Sequence, residues 1–191
     1  MEVDPGKLLL VFQGAGINIQ RGGEELISAI AKYDNASLFI IGSGDVIEDL
    51  KNKVSYEGLS GKVRFFPKME WEEMMRYTRS ADAGFSLDKD TNINYRFSLP
   101  NKLFDYISAG IPVIAGDLPE VSRIITGHSC GIIIPEISPE EIVQAIRLLD
   151  ENRDLLKILK QNAKEASEEL TWEKESIKVR ELYLNIISKN N

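Results

Sequence analysis

The sequence predicts an α/β fold: a doubly wound, Rossmann-like parallel sheet of about six strands with helices on both faces, plus a C-terminal helix. Two observations carry this prediction. Short apolar runs recur along the 191 residues, and each is followed by a stretch whose apolar residues repeat at helical spacing. Continuous apolar runs are typical of strands buried on both faces, and alternating strands and helices form parallel sheets with right-handed crossovers.

The strands are predicted from the apolar runs themselves. The first run, LLLVF, is followed by Gln13 and then by Gly14 and Gly16, and the later runs end at glycine, proline or polar residues. In chain order, the predicted strands are residues 8–12, 37–41, 63–66, 83–87, 111–115 and 131–134.

Helices are predicted between the strands, and residues 88–98 are predicted to be a loop because they are polar and lack periodicity. Trp71 and Met74 are expected in the core, and His128 and Cys130 are interpreted as structural. The predicted helices cover residues 23–33, a segment with Asp45 as its N-cap, 71–79, 101–109, 119–125, 139–169 and a last segment from the N-cap Thr171 to 187.

Composition narrows the class of protein. The formal net charge is -7, from 23 Lys and Arg against 30 Asp and Glu, so the chain lacks the basic balance of a general nucleic-acid binder. One cysteine and one histidine permit neither an internal disulfide nor a zinc ligand set. This usage favours a reducing, cytoplasmic setting. No apolar run approaches the roughly 20 residues of a membrane-spanning helix.

Functional residues are expected at the carboxyl ends of the strands, where doubly wound sheets bind ligands. The first strand is followed by GAGINIQRGG, in which Gly14, Ala15 and Gly16 precede Arg21. Glycines let the backbone approach an anion, and the start of the next helix offers N–H groups and a positive dipole end. The spacing is not that of the dinucleotide fingerprint. Phosphate binding and a glycine-rich turn with a solvated arginine both remain open.

A second glycine turn, Gly42-Ser43-Gly44, follows the second predicted strand. Taken alone, this spacing favours a tight connection from strand to helix. Glycines at this place also leave room for a ligand that lies across the edge of the sheet.

The most informative segment is SLPNKLFDYISAGIPVI, residues 98–114. Pro100 suits the first turn of a helix, and the amides around Asn101 would form a second anion cradle. Lys102 lies in that first turn, where a cation opposes the helix dipole, and this position hints at a bound anion. Asp105 lies on the same helix face, where it could accept hydrogen bonds from two ribose hydroxyls. A plain surface pair of Lys102 with Asp105 is the alternative.

Residues 100–115, PNKLFDYISAGIPVIA, resemble the donor-site helix and following strand of the retaining glycosyltransferases of family 4, the group 1 transferases with the two-domain GT-B fold. The glycine loop with Arg21, the strings LFIIGSG and VRFFPK, and residues 77–83 and 131–135 match that family in order and spacing. The resemblance covers residues 8–149, which is most of the chain.

This resemblance implies a site for a nucleotide-diphosphate sugar, a UDP- or GDP-sugar, with no cofactor. Arg21 and Lys102 would take the catalytic positions, since cations there stabilise the charge that develops on the leaving diphosphate. The implied donor-binding residues are Gly14, Ala15, Gly42, Gly44, Phe66, Pro67, Lys68, Ser98, Leu99, Pro100, Asn101, Asp105 and Glu120.

Several positions depart from the family's pattern and leave the identity of the donor sugar open. Asp105 stands where the family usually has a glutamate, and a second glutamate eight residues earlier falls on Phe97. The glutamate that is common after the fifth strand falls on Arg123, unless Glu120 serves. Arg21 stands where lysine is frequent, and its planar fork suits a diphosphate.

The resemblance also implies a missing half. Residues 1–191 are expected to form one donor domain, with a core over about 7–169 and a C-terminal helix over about 171–188, whereas the N-terminal acceptor domain of a GT-B enzyme has no counterpart. An excised domain is favoured over a natural orphan. Any contact with the inner membrane face would come through the missing half. The apolar residues of the last helix would pack against that half or cap this domain's own sheet: Trp172, Tyr183, Ile186 and Ile187.

Metal-independent, retaining transfer of a hexose, in polysaccharide or glycolipid biosynthesis, is the reaction expected of the full enzyme, and the fragment alone is expected to be inactive. The triplet Asp88-Lys89-Asp90 resembles a metal-binding motif only formally. Two other classes remain open. They are an epimerase-type GT-B domain that acts on nucleotide sugars, and a non-catalytic doubly wound binding module.

Overall fold

The computed structural model describes residues 6–189, and within them six strands form one parallel sheet in the order β3-β2-β1-β4-β5-β6. This arrangement confirms the predicted doubly wound sheet. Residues 1–5 and 190–191 of the predicted domain lie outside the described residues. The strands are β1 (Leu8–Gly14), β2 (Ala36–Gly42), β3 (Val63–Phe66), β4 (Ala83–Ser86), β5 (Val113–Gly116) and β6 (Gly131–Ile134).

Helices join successive strands and cover both faces of the sheet. They are α1 (Gly23–Ala31), α2 (Ile47–Tyr56), α3 (Trp71–Ser80), α4 (Ile93–Phe97), α5 (Asn101–Ser108), α6 (Pro119–His128), α7 (Pro139–Glu151), α8 (Arg153–Glu169) and α9 (Trp172–Lys189). The strand order changes direction between β1 and β4. The connections after these two strands therefore diverge and leave a crevice at the carboxyl edge of the sheet.

The side chains of β1 alternate between two apolar layers. Leu8, Leu10 and Phe12 are buried in the layer that the sheet shares with α1, α2 and α7. Leu9 and Val11 are buried in the opposite layer, with α5, α6 and part of α8. Burial on both faces explains why the strand has a continuous apolar sequence instead of an alternating one.

The long helix predicted over residues 139–169 is two helices. Asn152 leaves the helical conformation, and its side-chain oxygen accepts a hydrogen bond from the N–H of Leu155 (2.9 Å), which caps α8. The apolar stripe continues across this break, because both helices pack on the same core. Hydrophobic periodicity alone therefore did not reveal the break.

The loop predicted over residues 88–98 contains the short helix α4. Asn92 caps this helix, since its side-chain oxygen accepts from the N–H of Tyr95 (3.0 Å). The helix has no buried residue, so it lacks the apolar stripe from which helices are predicted. It carries Tyr95 over the crevice.

Two predicted N-caps have different outcomes. Asp45 is not the N-cap of α2, which Val46 precedes without a side-chain cap; the N–H of Asp45 instead donates to Oδ1 of Asn18 (3.2 Å). Thr171 is confirmed as the cap of α9, because its hydroxyl accepts from the N–H of Lys174 (3.3 Å).

The last helix, α9, exposes its large apolar side chains. Trp172 is 73% exposed and Tyr183 is 63% exposed. The alternative in which this helix covers the domain's own sheet is therefore wrong. Across residues 6–189, no helix combines the length and the apolar character needed to cross a membrane.

Tight packing between β4 and α5 gives a test of the fold. A Cβ at Gly84 would lie 2.4 Å from Cδ1 of Tyr106, whose side chain is fully buried. We expect Gly84→Ala to lower the free energy of unfolding by about 1–3 kcal/mol, as overpacked cores do. Urea denaturation measures this change.

The matched control is Gly127→Ala in α6, where an added Cβ meets nothing within 4 Å. Alanine is a better helix former than glycine, so this variant should be neutral or more stable by up to about 1 kcal/mol. A Gly84→Ala protein as stable as the parent would contradict the packing described for Tyr106.

Candidate functional site

A cleft of about 430 Å³ opens at the carboxyl end of β1. It is walled by the end of β1 and its glycine loop, by α4, and by the first turn of α5. Its lining residues are Phe12, Gln13, Gly14, Gly16, Ile17, Arg21, Asn94, Tyr95, Ser98, Leu99, Pro100, Asn101 and Lys102. Seven of them are predicted site residues: Gly14, Arg21, Ser98, Leu99, Pro100, Asn101 and Lys102.

Arg21 and Lys102 meet at one buried carboxylate, that of Asp88. Nη1 of Arg21 lies 2.6 Å from Oδ1 of Asp88, and Nζ of Lys102 lies 3.2 Å from Oδ2. The second contact is an ion pair without the alignment of a hydrogen bond. Only 2% of the Asp88 side chain is exposed, against 10% for Lys102 and 26% for Arg21. The two predicted cations therefore share one side of the cleft.

The loop that carries Arg21 is held close to the end of β4. Gly22 has a φ of 74°, and a Cβ there would lie 2.4 Å from Cβ of Leu87. The N–H of Lys89 donates to the carbonyl of Gln20 (3.0 Å). These contacts bring Arg21 next to Asp88, the residue that directly follows the apolar run 83–87.

The protonation of Lys102 is set by its surroundings. Burial lowers its pKa below the usual range for lysine, because the ammonium loses its water. The carboxylate of Asp88 opposes this shift, and the charge of Arg21 adds to it. Aromatic faces lie near both cations. The ring centroid of Tyr95 is 4.6 Å from the guanidinium carbon of Arg21, and the ring centroid of Phe12 is 5.3 Å from Nζ of Lys102.

The N-terminus of α5 faces the same cleft. Pro100 is its N-cap residue and no side chain caps the helix. The N–H groups of a helix's first turn have no partner within the helix, and the positive end of the dipole lies there. The cleft therefore combines two cationic side chains with a helix N-terminus, which is a favourable environment for a polyanion.

A buried polar network fixes the floor of the cleft. Gln13 is 1% exposed; its side-chain oxygen accepts from Thr78 (2.7 Å) and its amide donates to Oδ2 of Asp105 (3.2 Å). The backbone N–H of Gln13 donates to the hydroxyl of Tyr106 (3.1 Å), which donates to the carbonyl of Phe85 (3.1 Å). All polar groups of this floor thus have partners inside the protein.

The side chains of Asp105 and Trp71 are hydrogen-bonded to each other at the surface of the protein. Nε1 of Trp71 donates to Oδ1 of Asp105 (2.9 Å), and the indole is 50% exposed. The prediction that Trp71 is a core residue is therefore wrong. Both carboxylate oxygens of Asp105 are engaged, one by Trp71 and one by Gln13, and Asp105 does not line the cleft.

A second depression of about 370 Å³ lies beside the first, at the ends of β2 and β3. Gly14, which lines the cleft, pairs in the sheet with Gly42, which lines the second depression. Five predicted site residues line it: Gly42, Gly44, Phe66, Pro67 and Lys68. The glycines here serve the protein's own packing, because a Cβ at Gly42 would lie 1.8 Å from the carbonyl oxygen of Gly14, and φ at Gly42 is 136°.

Two predicted site residues lie outside both depressions, as Asp105 does. Ala15 is exposed on the loop after β1, and Glu120 in the first turn of α6 pairs with Nη2 of Arg123 (2.8 Å).

Within the described residues, no three carboxylate, thiol or imidazole groups are placed to hold a metal ion. Cys130 is fully buried, which raises the pKa of its thiol to about 11 and agrees with a structural role.

Asp88 and Tyr95 are the site residues that the sequence analysis missed. Asp88 directly follows a buried strand, so its position gave the same signal that singled out the glycine loops. In the sequence, the triplet Asp88-Lys89-Asp90 resembles a metal-binding motif only formally, and no motif indicates a pair of Asp88 with Arg21 and Lys102. Tyr95 lies in a segment without periodicity, and nothing in the sequence placed it against Arg21.

Comparison with known proteins identifies the family. The family described as "Glycosyl transferases group 1" matches residues 4–166. This chain therefore belongs to the group 1 glycosyl transferases, as the resemblance in its sequence predicted.

Known relatives and structures agree with this assignment. The chain is 30% identical over 166 residues to a chitobiosyldiphosphodolichol beta-mannosyltransferase of Debaryomyces hansenii, covering 78% of this chain and 34% of the relative. A sucrose-phosphate synthase of Thermosynechococcus elongatus superposes with a TM-score of 0.83 at 18% identity, over 97% of this chain and 47% of that one. HepE of Anabaena in complex with UDP superposes with a TM-score of 0.77 at 14% identity, over 96% and 49%.

The chain spans about a third to a half of the curated relatives it matches, with shares of 46%, 34% and 47% of their lengths. The likeness to the two solved structures, at these identities, confirms the fold, one half of a GT-B architecture.

The floor of the cleft gives a prediction. Tyr106→Phe removes one hydroxyl and leaves the N–H of Gln13 and the carbonyl of Phe85 without that partner. We expect the free energy of unfolding to fall by about 1–3 kcal/mol, the effect of unpaired buried polar groups. Thermal or urea denaturation measures it.

Tyr56→Phe is the control, because the Tyr56 side chain is 93% exposed. If Tyr106→Phe and Tyr56→Phe are equally stable, the hydrogen bonds of the Tyr106 hydroxyl do not stabilise the end of β1.

Proposed function

We propose that this chain is the donor-binding half of a family 4 glycosyltransferase and that its cleft binds a nucleoside-diphosphate sugar. The observation that carries the proposal is the convergence of Arg21 and Lys102, within one cleft, at the N-terminus of α5. In a protein of net charge -7, two cations and a helix start at one edge form a local site for an anion. The UDP named with the HepE structure supports a nucleotide ligand.

The diphosphate would lie between the two cations and the first turn of α5. In the transfer step, the bond between the anomeric carbon and the β-phosphate oxygen would break with its electron pair on that oxygen. A hydroxyl oxygen of the acceptor would bond to the anomeric carbon, and its proton would pass to the departing diphosphate. Arg21, Lys102 and the amides around Asn101 would stabilise the negative charge as it develops. A retaining, metal-independent course is the one that the family 4 resemblance implies, and two cations beside a helix start supply the electrostatic stabilisation it needs.

The nucleoside would occupy the second depression. It adjoins the end of β2, where Gly42 pairs with Gly14 of the cleft, and is lined by Phe66, Pro67 and Lys68. A ribose contact by Asp105 would require this carboxylate to exchange a hydrogen bond from Trp71 or Gln13 for one from a hydroxyl. Ala15 and Glu120 remain proposed donor contacts from the resemblance.

The acceptor half is proposed to belong to the same longer polypeptide. The relatives are about two to three times as long as the part that this chain matches. The exposed apolar side chains of α9, such as Trp172 and Tyr183, would pack against that half. We place the full enzyme in the cytoplasm, with any membrane contact made by the acceptor half.

The binding proposal is tested at Lys102. We expect Lys102→Ala to weaken the binding of UDP or GDP by about 5–150-fold, which corresponds to the roughly 1–3 kcal/mol of a lost charged hydrogen bond. Arg21 still pairs with Asp88 in this variant, so the carboxylate is not left alone. Isothermal titration calorimetry of this chain gives the dissociation constants.

Lys157→Ala is the control, since Lys157 is 78% exposed on α8 and pairs with Asp154; its affinity should equal that of the parent. An unchanged affinity in Lys102→Ala would remove Lys102 from the site. If neither nucleotide nor nucleotide sugar binds the parent, the chain is better explained as a non-catalytic module.

Catalysis gives a separate prediction. This chain alone should bind a nucleotide sugar and transfer nothing, because residues 6–189 form only one of the two halves of a GT-B fold. Incubation with UDP-glucose or GDP-mannose, followed by chromatography of the products, measures this. Conversion of the nucleotide sugar to an epimer without any acceptor would favour the epimerase alternative instead.

A further inference from the structure

The proposed binding chemistry leaves one buried acid unexplained. Asp88 lies between the two cations that would hold a diphosphate, and its side chain is 2% exposed. An anion at this place neutralises part of the charge that a diphosphate needs. A buried carboxylate is also unfavourable by itself, so its position calls for a physical reason.

The surroundings of Lys102 provide this reason. The ammonium has lost most of its water, and both its burial and the nearby Arg21 lower its pKa. Asp88 is the group that raises it. Without that carboxylate, Lys102 would lose its proton at a lower pH, and the cleft would lose one of its two cations.

The backbone holds Asp88 where it can act on both cations. It directly follows Leu87, whose side chain is fully buried, and the loop before α1 packs on Leu87 through Gly22. One carboxylate oxygen faces Arg21 and the other faces Lys102, at 2.6 and 3.2 Å. The carboxylate thus bridges two segments that are far apart in sequence.

We propose that Asp88 is a positioning residue, which keeps Lys102 charged and holds Arg21 beside it so that both cations face the diphosphate. This inference rests on the proposed function of the cleft. Asp88 itself makes no contact with the donor. It acts through the two cations that do.

The other elements around Lys102 leave this role to Asp88. β1 contributes Phe12 and Gln13 to the cleft, and neither carries a charge. On α5 itself, Asp105 is bonded to Gln13 and Trp71. Tyr95 of α4 lies against Arg21, and the phenol of Tyr106 is buried. Arg96 pairs with Asp90 at 3.7 Å, and Lys89 pairs with Glu25. Asp90, Asp117 and Glu136 line a separate depression together with Asp88.

Removing the charge of Asp88 has two effects of opposite sign. At low pH, Lys102 of an Asp88→Asn protein is protonated, and one competing negative charge is gone, so a diphosphate should bind as well as in the parent or better. At high pH, Lys102 of the variant loses its proton before Lys102 of the parent does, so the variant should bind more weakly. A residue with a merely structural role would shift the affinity in the same direction at every pH.

The experiment is a calorimetric titration of the parent and of Asp88→Asn with UDP-glucose and GDP-mannose between about pH 6 and 8.5. The diphosphate diester of these probes does not titrate in this range. The ratio of the variant's dissociation constant to the parent's should rise with pH, because Lys102 of the variant loses its proton at a lower pH than Lys102 of the parent.

Two controls isolate the mechanism. Asp90→Asn removes the same charge from the same segment, at a residue whose side chain is 45% exposed, and its ratio should not change with pH. In Asp88→Asn combined with Lys102→Arg, the second cation does not lose its proton, so the ratio should again be independent of pH. A rising ratio in either control overturns the role assigned to the Asp88–Lys102 pair.

A direct spectroscopic measurement does not depend on any ligand. The titration of Lys102, followed by the NMR chemical shift of its ¹³Cε, should have its midpoint at a lower pH in Asp88→Asn than in the parent, because the carboxylate that raises the pKa of Lys102 is gone. If Asp88→Asn reduces the folded fraction, Asp88→Ser, which leaves space for a water molecule, gives the same signed test. An unchanged midpoint overturns the inference.

The outcomes separate the two proposals. If the parent binds no nucleotide or nucleotide sugar, the proposed function fails, and the positioning role fails with it. If the parent binds and the ratio is the same at every pH, only the role of Asp88 fails.

Discussion

The electrostatics of the cleft depend on the contacts of the Asp88 carboxylate with Arg21 and Lys102. Two cations side by side in a partly dry cleft repel each other, and burial adds a penalty for the ammonium of Lys102. One carboxylate between the two cations reduces both their mutual repulsion and the burial penalty of Lys102. The three side chains together keep a net positive charge. The cleft can therefore be preorganised for an anion before any ligand arrives, which is where electrostatic binding and catalysis gain most.

Topology explains why these three residues meet. They come from three segments: the loop after β1, the residue after the apolar run of β4, and the first turn of α5. β1 and β4 are neighbours because the strand order reverses between them. Side chains that follow the two strands are then directed to a common crevice, and α5 begins above it. The same reversal creates the usual ligand site of doubly wound sheets. The fold therefore brings Arg21 and Lys102 together, and the carboxylate of Asp88 offsets part of their positive charge.

Much of this could be predicted from the sequence, since strands buried on both faces and glycine turns leave direct traces in it. The six strands, the doubly wound sheet and the joint position of Arg21 and Lys102 follow from apolar runs and from the rule for carboxyl ends. Three features do not. Asn152 interrupts an unbroken apolar stripe, α4 has no apolar stripe at all, and the exposed Trp71 looks like a core residue by its type. In each case a single polar side chain decides the outcome through one hydrogen bond, which hydrophobic patterning does not record.

In our proposal, the cleft of this group 1 glycosyl transferase chain binds a nucleoside diphosphate between Arg21, Lys102 and the start of α5. The most direct measurement is a map of ¹H–¹⁵N chemical-shift changes on addition of UDP or GDP. We expect the largest changes at residues 14–23 and 98–103, smaller ones at residues 42–44 and 66–68, and none along α9. Changes confined to other parts of the sheet, or no change with either nucleotide, would rule out this placement of the nucleotide.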